Sequence, residues 1–341
     1  MSDPEIDERA LGAWLGANIE GFHGPFELTK FPSGQSNPTY RIRAASGDYV
    51  MRRKPFGKLL PSAHAVDREY RLLSALYPLG FPVPEPLAEC DDAAIIGSTF
   101  YVMELVKGRT YANGALPDFD PAARRRMYEQ LIDTLSDLHS IDPDAVGLGD
   151  FGKPGNYFER QVMRWTRQYR DSQTDYIPEM ERLIAFLPET VPTQARVSIV
   201  HGDYRIDNVM FDGDGTLTAV LDWELATLGD PVADFSYLAM QWMMPADGGA
   251  GLKGVDVARL GIPTLREIIE RYSDRSAIAV SGKLDWYFSY NLFRLAGIVQ
   301  GIKKRVLDGT ASHAQAEEMA KRVPMLAKAA WAFAEKARAE A

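Results

Sequence analysis

Residues 199–222 read IVHGDYRIDNVMFDGDGTLTAVLD, and the interpretation of the whole chain turns on this stretch. A mainly apolar run, residues 197–200, ends at His201-Gly202-Asp203. Asn208 comes five residues after Asp203, and Asp222 fourteen after Asn208. Residues 209–211 and 217–221 have the composition of short strands, and Asp212-Gly213-Asp214-Gly215 between them is turn chemistry. The pattern predicts a hairpin that holds two carboxylates and one amide at one edge. Phosphoryl transfer needs that set. One acid orients and deprotonates a hydroxyl, while an amide and a second acid hold Mg²⁺ on the phosphates.

Protein kinases use H-R-D-x-x-x-x-N followed by D-F-G for the same tasks. Here Gly202 replaces the arginine, and Trp223-Glu224 follows Asp222. The segments HGDYRIDN (201–208) and LDWELATLGDPVADFSYL (221–238) resemble the aminoglycoside phosphotransferase and choline kinase-like family. Within it they are most similar to the kinase-like domain at the amino end of some acyl-CoA dehydrogenase family members. Segments 52–76 and 291–311 extend the resemblance over most of the chain.

The resemblance implies an α+β, two-lobed protein kinase-like fold. Residues 1–106 would form a small antiparallel β-sheet lobe that binds nucleotide, and 107–341 a larger, mainly helical lobe for catalysis and acceptor binding. It implies ATP and Mg²⁺ as cofactors, Asp203 as catalytic base, and Asn208 and Asp222 as magnesium ligands. Arg52 falls where the family's phosphate-anchoring lysine stands, with Lys54 on the same strand face as the substitute. Glu69 is the implied partner of Arg52, as in the Lys–Glu pair of kinases. The loop Ser33-Gly34-Gln35-Ser36-Asn37 has the place of a nucleotide-covering hairpin, contributing Gly34, Ser36 and Asn37, although its single glycine departs from G-x-G-x-x-G. Backbone groups around Glu104 and Val106 would bind the purine. The resemblance implies that Asp234 braces the catalytic loop, and the cost of an aspartate between Ala233 and Phe235 inside a helix unless it is hydrogen-bonded supports that role.

A chain of 341 residues is long for one compact core and predicts two lobes. With 46% hydrophobic and 25% charged residues, its composition is ordinary for a globular protein. A net charge of −9 argues against nonspecific nucleic-acid binding. Cys90, the single cysteine, excludes an intramolecular disulfide and fits a reducing cytosol. The acidic amino end lacks the apolar core of a signal peptide, and no stretch approaches the roughly 18 apolar residues of a spanning helix. The expectation is a soluble, cytoplasmic protein with neither a nucleic-acid nor a membrane partner.

Periodicity places the remaining elements. Residues 5–19 read as an amphipathic helix, 26–31, 39–43 and 48–54 as strands, and 97–106 as a strand. A helix opening at Ser62 carries the stripe Val66, Tyr70, Leu73 and Tyr77. Residues 81–86, with three prolines, are a connector. Asp120-Pro121 starts a helix to residue 140 that buries Met127, Leu131, Leu135 and Leu138, and His139 at its end is read as structural. Further helices are predicted over 157–170, 179–187, 231–243, 263–272, 285–307 and 314–339.

Those last helices would wall a small-molecule pocket, with Trp165, Trp242, Tyr290 and Arg294 as candidate walls. A protein acceptor is disfavoured, because A-P-E is missing after Asp222. The resemblance implies a hydroxyacyl-CoA or hydroxy acid as acceptor and a functional link to an acyl-CoA dehydrogenase. Two alternatives stand beside it. One is an aminoglycoside- or choline-type metabolite phosphotransferase. The other is a catalytically retired fold that only binds nucleotide, kept open by Arg52 and the glycine-poor loop. A hydrolytic metal site finds too few histidines, five and scattered. A calcium loop from Asp212 fails, since Leu217 and Trp223 stand where its glycine and glutamate belong.

Overall fold

The computed structural model describes residues 6–32, 37–56, 65–194, 196–247, 249–280, 284–309 and 316–339. The elements run α1 (Glu8–Asn18), β1 (Phe26–Lys30), β2 (Thr39–Ala44), β3 (Gly47–Arg53), α2 (Val66–Leu76), β4 (Pro86–Cys90) and β5 (Phe100–Glu104). Next come α3 (Pro121–Ser140), α4 (Tyr157–Ser172), α5 (Pro178–Glu189), β6 (Ser198–Val200), β7 (Val209–Phe211), β8 (Leu217–Val220) and β9 (Thr227–Gly229). The chain ends in α6 (Val232–Ala239), α7 (Val257–Leu260), α8 (Leu265–Ser276), α9 (Asp285–Leu307), α10 (Ala316–Ala320) and α11 (Val323–Ala339). Packing divides them into two units. The first takes Met1–Tyr111, Asp144–Leu148 and Asp207–Ala226; the second takes the rest. The class is α+β, a small antiparallel sheet and a larger helical part, as expected.

In the first unit five strands form an antiparallel sheet in the order β1-β2-β3-β5-β4. Alternation along the strands sorts its two faces. Ile42, Met51, Phe100 and Val102 point into a core closed by Leu11 and Leu15 of α1. Each of those leucines, fully buried, contributes about 1.5–3 kcal/mol through the water it sheds. Val50, Arg52, Tyr101 and Met103 occupy the other face, where β3 and β5 set Arg52 opposite Tyr101. Arg53 turns away from them and is fully buried, its guanidinium 3.8 Å from the Phe56 ring centre.

The hairpin β7–β8 and residues 107–111 pack in this first unit, although their place in the sequence puts them beyond the boundary at 106. Backbone bonding is the reason. Arg109 and Phe211 exchange amide hydrogen bonds of 2.9 and 3.0 Å, and the Val220 amide donates to Pro82 O at 2.8 Å. Gly108 allows the approach: a Cβ there would meet Phe211 O at 2.8 Å.

The second unit is helical. Asp120 Oδ1 accepts from the Ala123 amide at 2.8 Å and starts α3, which buries Met127, Leu131, Leu135 and Leu138. Arginines of α8 reach back to α3 as Arg271–Asp133 and Arg275–Asp137 pairs. α9 packs against α4, α6 and α11 and has the predicted bounds. Among the described residues no helix is long and apolar enough to cross a membrane.

Several expectations need correction. The buried face of α2 is Val66, Glu69, Leu72, Leu73 and Leu76, because Glu69 turns inward to Arg52. Tyr77 lies in a following 3₁₀ turn and is 40% exposed. The predicted start at Ser62 lies outside the described residues. Pro86 opens β4 and is not part of the connector, and the last predicted helix is two, α10 and α11.

Candidate functional site

The first unit contains a cavity of about 700 Å³, a size suited to a small ligand. Arg52, Glu69, Glu104, Val106, Asn208 and Asp222 are among the residues that line it. Arg52 is its electrostatic centre. Its Nε lies 3.0 Å from Glu69 Oε2, and its Nη2 donates to Asp222 Oδ1 at 3.1 Å and lies 3.6 Å from Glu224 Oε2. Lys54 lies past the strand end and pairs with Asp67 at 2.9 Å.

Glu69 is the hub of this cluster. It accepts from Asn37 Nδ2 at 2.9 Å and from the Tyr101 hydroxyl at 3.1 Å. Burial pushes its carboxyl up to about 7, against the pull of Arg52 and Tyr101. Burial also works against the Arg52 charge, but Glu69, Tyr101 and Asp222 outweigh it and hold the guanidinium above its ordinary value. Asn37 thus serves Glu69 and is fully buried. Gly34 and Ser36 lie outside the described residues. The Glu104 amide donates to Glu85 O at 2.9 Å, so it is committed to the fold.

Asp222 adopts a left-handed backbone, φ 67° and ψ 59°. Such conformations are costly away from glycine and are found at functional sites. The turn carries the carboxylate out of β8, and the Leu221 amide donates to Asn208 O at 2.8 Å, which ties the two candidate ligands together. Among the described residues no group of three or more His, Cys, Asp or Glu is arranged to hold a metal ion.

The second unit holds the loop of Asp203. β6 pairs with β9 and delivers His201, after which Gly202 takes φ 84°, a conformation that favours glycine over the kinase arginine. Asp234 of α6 braces the turn: Oδ2 accepts from the His201 amide at 2.5 Å and Oδ1 from the Gly202 amide at 2.8 Å. Burial opposes the Asp234 charge, yet hydrogen bonding from His139, the charges of His139 and His201, and the His201 amide hold its carboxyl below its ordinary value. His139 is buried, 3.4 Å from Asp234 Oδ2 and 2.6 Å from the Tyr272 hydroxyl. Its surroundings are those of a structural residue. The Asp203 amide donates to His201 Nδ1 at 3.2 Å, Arg205 Nε lies 3.4 Å from Asp203 Oδ2, and Tyr204 anchors the loop to Leu131 O at 2.8 Å.

Of the four predicted acceptor walls, Trp165, Tyr290 and Arg294 lie together, whereas Trp242 packs on Tyr128. Trp242 is buried, its indole donating to Pro263 O at 2.9 Å, and Tyr290 is buried in a stack on Trp286 with centroids 5.8 Å apart. Aromatics at helical spacing have gone to the core. Arg294 lies beside the Asp203 loop, with Trp165 against it. Tyr101, Glu224 and the contact of Arg294 with Gly202 were missed. Only Tyr101 had a signal, its alternation with Met103 on a strand face.

Comparisons with known proteins bear on the family and the fold. Residues 27–268 match the phosphotransferase enzyme family. Acyl-CoA dehydrogenase family member 10 of Mus musculus is 45% identical over 336 residues, covering 97% of this chain and 31% of the relative. The chain therefore spans about a third of that relative, and 41% of acyl-CoA dehydrogenase family member 11 of Rattus norvegicus, which is 39% identical over 90% of the chain. A crystal structure from Ralstonia eutropha, titled as a candidate aminoglycoside phosphotransferase, has TM-score 0.90 and 43% identity, covering 97% of this chain and 99% of that one. A thermostable mutant of aminoglycoside phosphotransferase APH(4)-Ia, solved with ADP and hygromycin B, has TM-score 0.61 and 15% identity, covering 96% of this chain and 98% of its own, and shows likeness of fold alone.

Proposed function

We propose, from the premise that the chain belongs to the phosphotransferase enzyme family, that it is a small-molecule kinase moving the γ-phosphoryl group of ATP to a substrate hydroxyl. Arg52 carries this reading. It is a buried guanidinium in a cavity wall, with Glu69 behind it and Asp222 beside it. That is the charge a triphosphate requires, and Arg presents it in a fixed fork. On this reading the sheet unit holds the nucleotide and the helical unit the acceptor.

Asn208 and Asp222 would hold Mg²⁺, an amide oxygen and a carboxylate being the hard donors that ion takes. When bound, the ion would neutralise charge on the phosphates. Asp203 takes the proton of the acceptor hydroxyl as its oxygen bonds to the γ-phosphorus. The bond from that phosphorus to the β–γ bridging oxygen breaks, and ADP leaves. The relatives are named acyl-CoA dehydrogenase family members, so hydroxy acids and their CoA thioesters are the acceptors to test first, and a cytoplasmic role linked to an acyl-CoA dehydrogenase is part of the proposal.

The test is a melting-temperature titration with ATP, with and without Mg²⁺. ATP at about 100 times its dissociation constant stabilises the folded state by ~2.7 kcal/mol. The shift is expected to need Mg²⁺ and to disappear in Asp222→Ala. Asp203→Ala should keep the shift but lower turnover by roughly 10²–10⁴. No shift with any nucleotide would reject the reading, whereas a shift without turnover would favour the retired fold that only binds nucleotide.

A further inference from the structure

Arg294 lies in the middle of α9 and is 8% exposed. A guanidinium so deeply buried is ordinarily paired with a carboxylate, because removing its charge from water is costly. The contacts of Arg294 are of another kind. Nη2 donates to Gly202 O at 2.8 Å. The guanidinium carbon lies 5.1 Å from the ring centre of Tyr237 and 5.5 Å from that of Trp165. Nε is buried without a hydrogen-bond partner. Two aromatic faces thus hold a cation whose one strong bond goes to a backbone carbonyl.

That carbonyl belongs to the peptide joining Gly202 to Asp203. The amide at the other end of the same peptide, Asp203 N–H, donates to His201 Nδ1 at 3.2 Å, and the preceding amide, Gly202 N–H, is held by Asp234 Oδ1 at 2.8 Å. Gly202 has φ 84°, so its own backbone supplies little restraint on how the peptide turns. Asp234 and His201 restrain the amide side. Arg294 restrains the carbonyl side.

We infer that Arg294 is a positioning residue for phosphoryl transfer, fixing the Gly202–Asp203 peptide plane and with it the direction of the Asp203 carboxylate. The inference rests on the reading of Asp203 as catalytic base. Burial opposes the Arg294 charge, while Tyr290, Tyr237, Tyr157 and Asp203 favour it and keep the side chain a cation. Trp165 and Tyr237 flank its guanidinium, and the Tyr237 hydroxyl also hydrogen-bonds the Asp203 carboxylate.

The experiment uses the whole chain with MgATP and water as acceptor, reading ADP release together with hydrogen exchange of residues 201–206. The proteins are wild type, Arg294→Met, Arg294→Lys and Asp203→Ala. Arg294→Met is expected to fold with a somewhat lowered Tm, since it removes a buried charge but leaves the Gly202 carbonyl without its donor. Exchange over 201–206 should accelerate, and kcat should fall about a hundredfold, the scale of a misplaced catalytic group, with KM for ATP unchanged. Arg294→Lys, a point donor without the planar fork, should recover part of the rate. It also supplies the same readouts if Arg294→Met does not fold. Wild-type exchange and wild-type kcat in both Arg294 variants would overturn the inference. If Asp203→Ala is slowed while the Arg294 variants are not, only the positioning role fails. If Asp203→Ala releases ADP as fast as wild type, the base assignment fails and the positioning role with it.

Discussion

Glu69 in the sheet unit and Asp234 in the helical unit are both almost completely buried, and they respond to burial in opposite ways. Glu69 faces a cation and two neutral donors, yet burial dominates and its carboxyl rises to about 7. Asp234 faces backbone amides and two histidines, and its carboxyl falls below the ordinary range. For Asp234 the hydrogen bond from His139 is the largest favourable influence, followed by the nearby histidines and then the His201 amide, a donor fixed by the fold. Arg52 divides its charge among Glu69, Asp222 and Glu224, so Glu69 receives only a share. One carboxylate is a rigid brace. The other can exchange charge with the site it supports.

The largest effect that could break this contrast is on Asp234. Asp234→Ala leaves the His201 and Gly202 amides buried without their acceptor, and should cost about 3–5 kcal/mol in chemical unfolding. A loss below about 1 kcal/mol would mean that the loop holds itself.

The pH dependence sharpens the contrast, because the two signs differ. With Glu69 at about 7 folded and 4.5 unfolded, the folded state binds the extra proton between those values. Its contribution to stability is therefore full below pH 4.5 and lost as pH rises towards 7, by up to about 1.4 kcal/mol per pH unit. Asp234 is lowered from 3.8, so its contribution is present above that value and lost as pH falls below it. Unfolding free energies of wild type and Glu69→Gln across both windows should differ only in the upper one. Equal slopes there would remove Glu69 as a titrating group.

The smallest effect is at the turn itself. Gly202→Ala places a side chain at φ 84°, a left-handed conformation that costs about 1–2 kcal/mol. Measured by Tm beside Asp234→Ala, it should be the milder variant. A larger loss would show that the backbone turn, and not its brace, limits stability.

Local chemistry made much of this legible. Alternation along β3 separated Arg52 from Arg53, and the structure keeps them on opposite faces. Asp120 and Pro121 marked the start of α3 because a cap and a fixed φ act within a few residues. The apolar circumference of 285–307 foretold a buried helix. Asn37 was less legible. Its place in a turn-rich loop suggested a nucleotide contact, but the side chain is bonded to Glu69, 32 residues away. Trp242 and Tyr290 misled for a related reason: periodicity reveals that a side chain is buried but not whether it faces a cavity or the core.

The sequence alone determined most of the strands and helices, the hairpin, and the order in which Arg52, Glu69, Asp203, Asn208 and Asp222 follow one another, since each depends on residues close by in the chain. Tertiary structure decided which polar group meets which. Arg52 bonds Asp222 across 170 residues, and Arg294 bonds Gly202 across 92. Arginine can bond a carboxylate or a carbonyl or lie on an aromatic face, and only the packed fold brings one of these within reach.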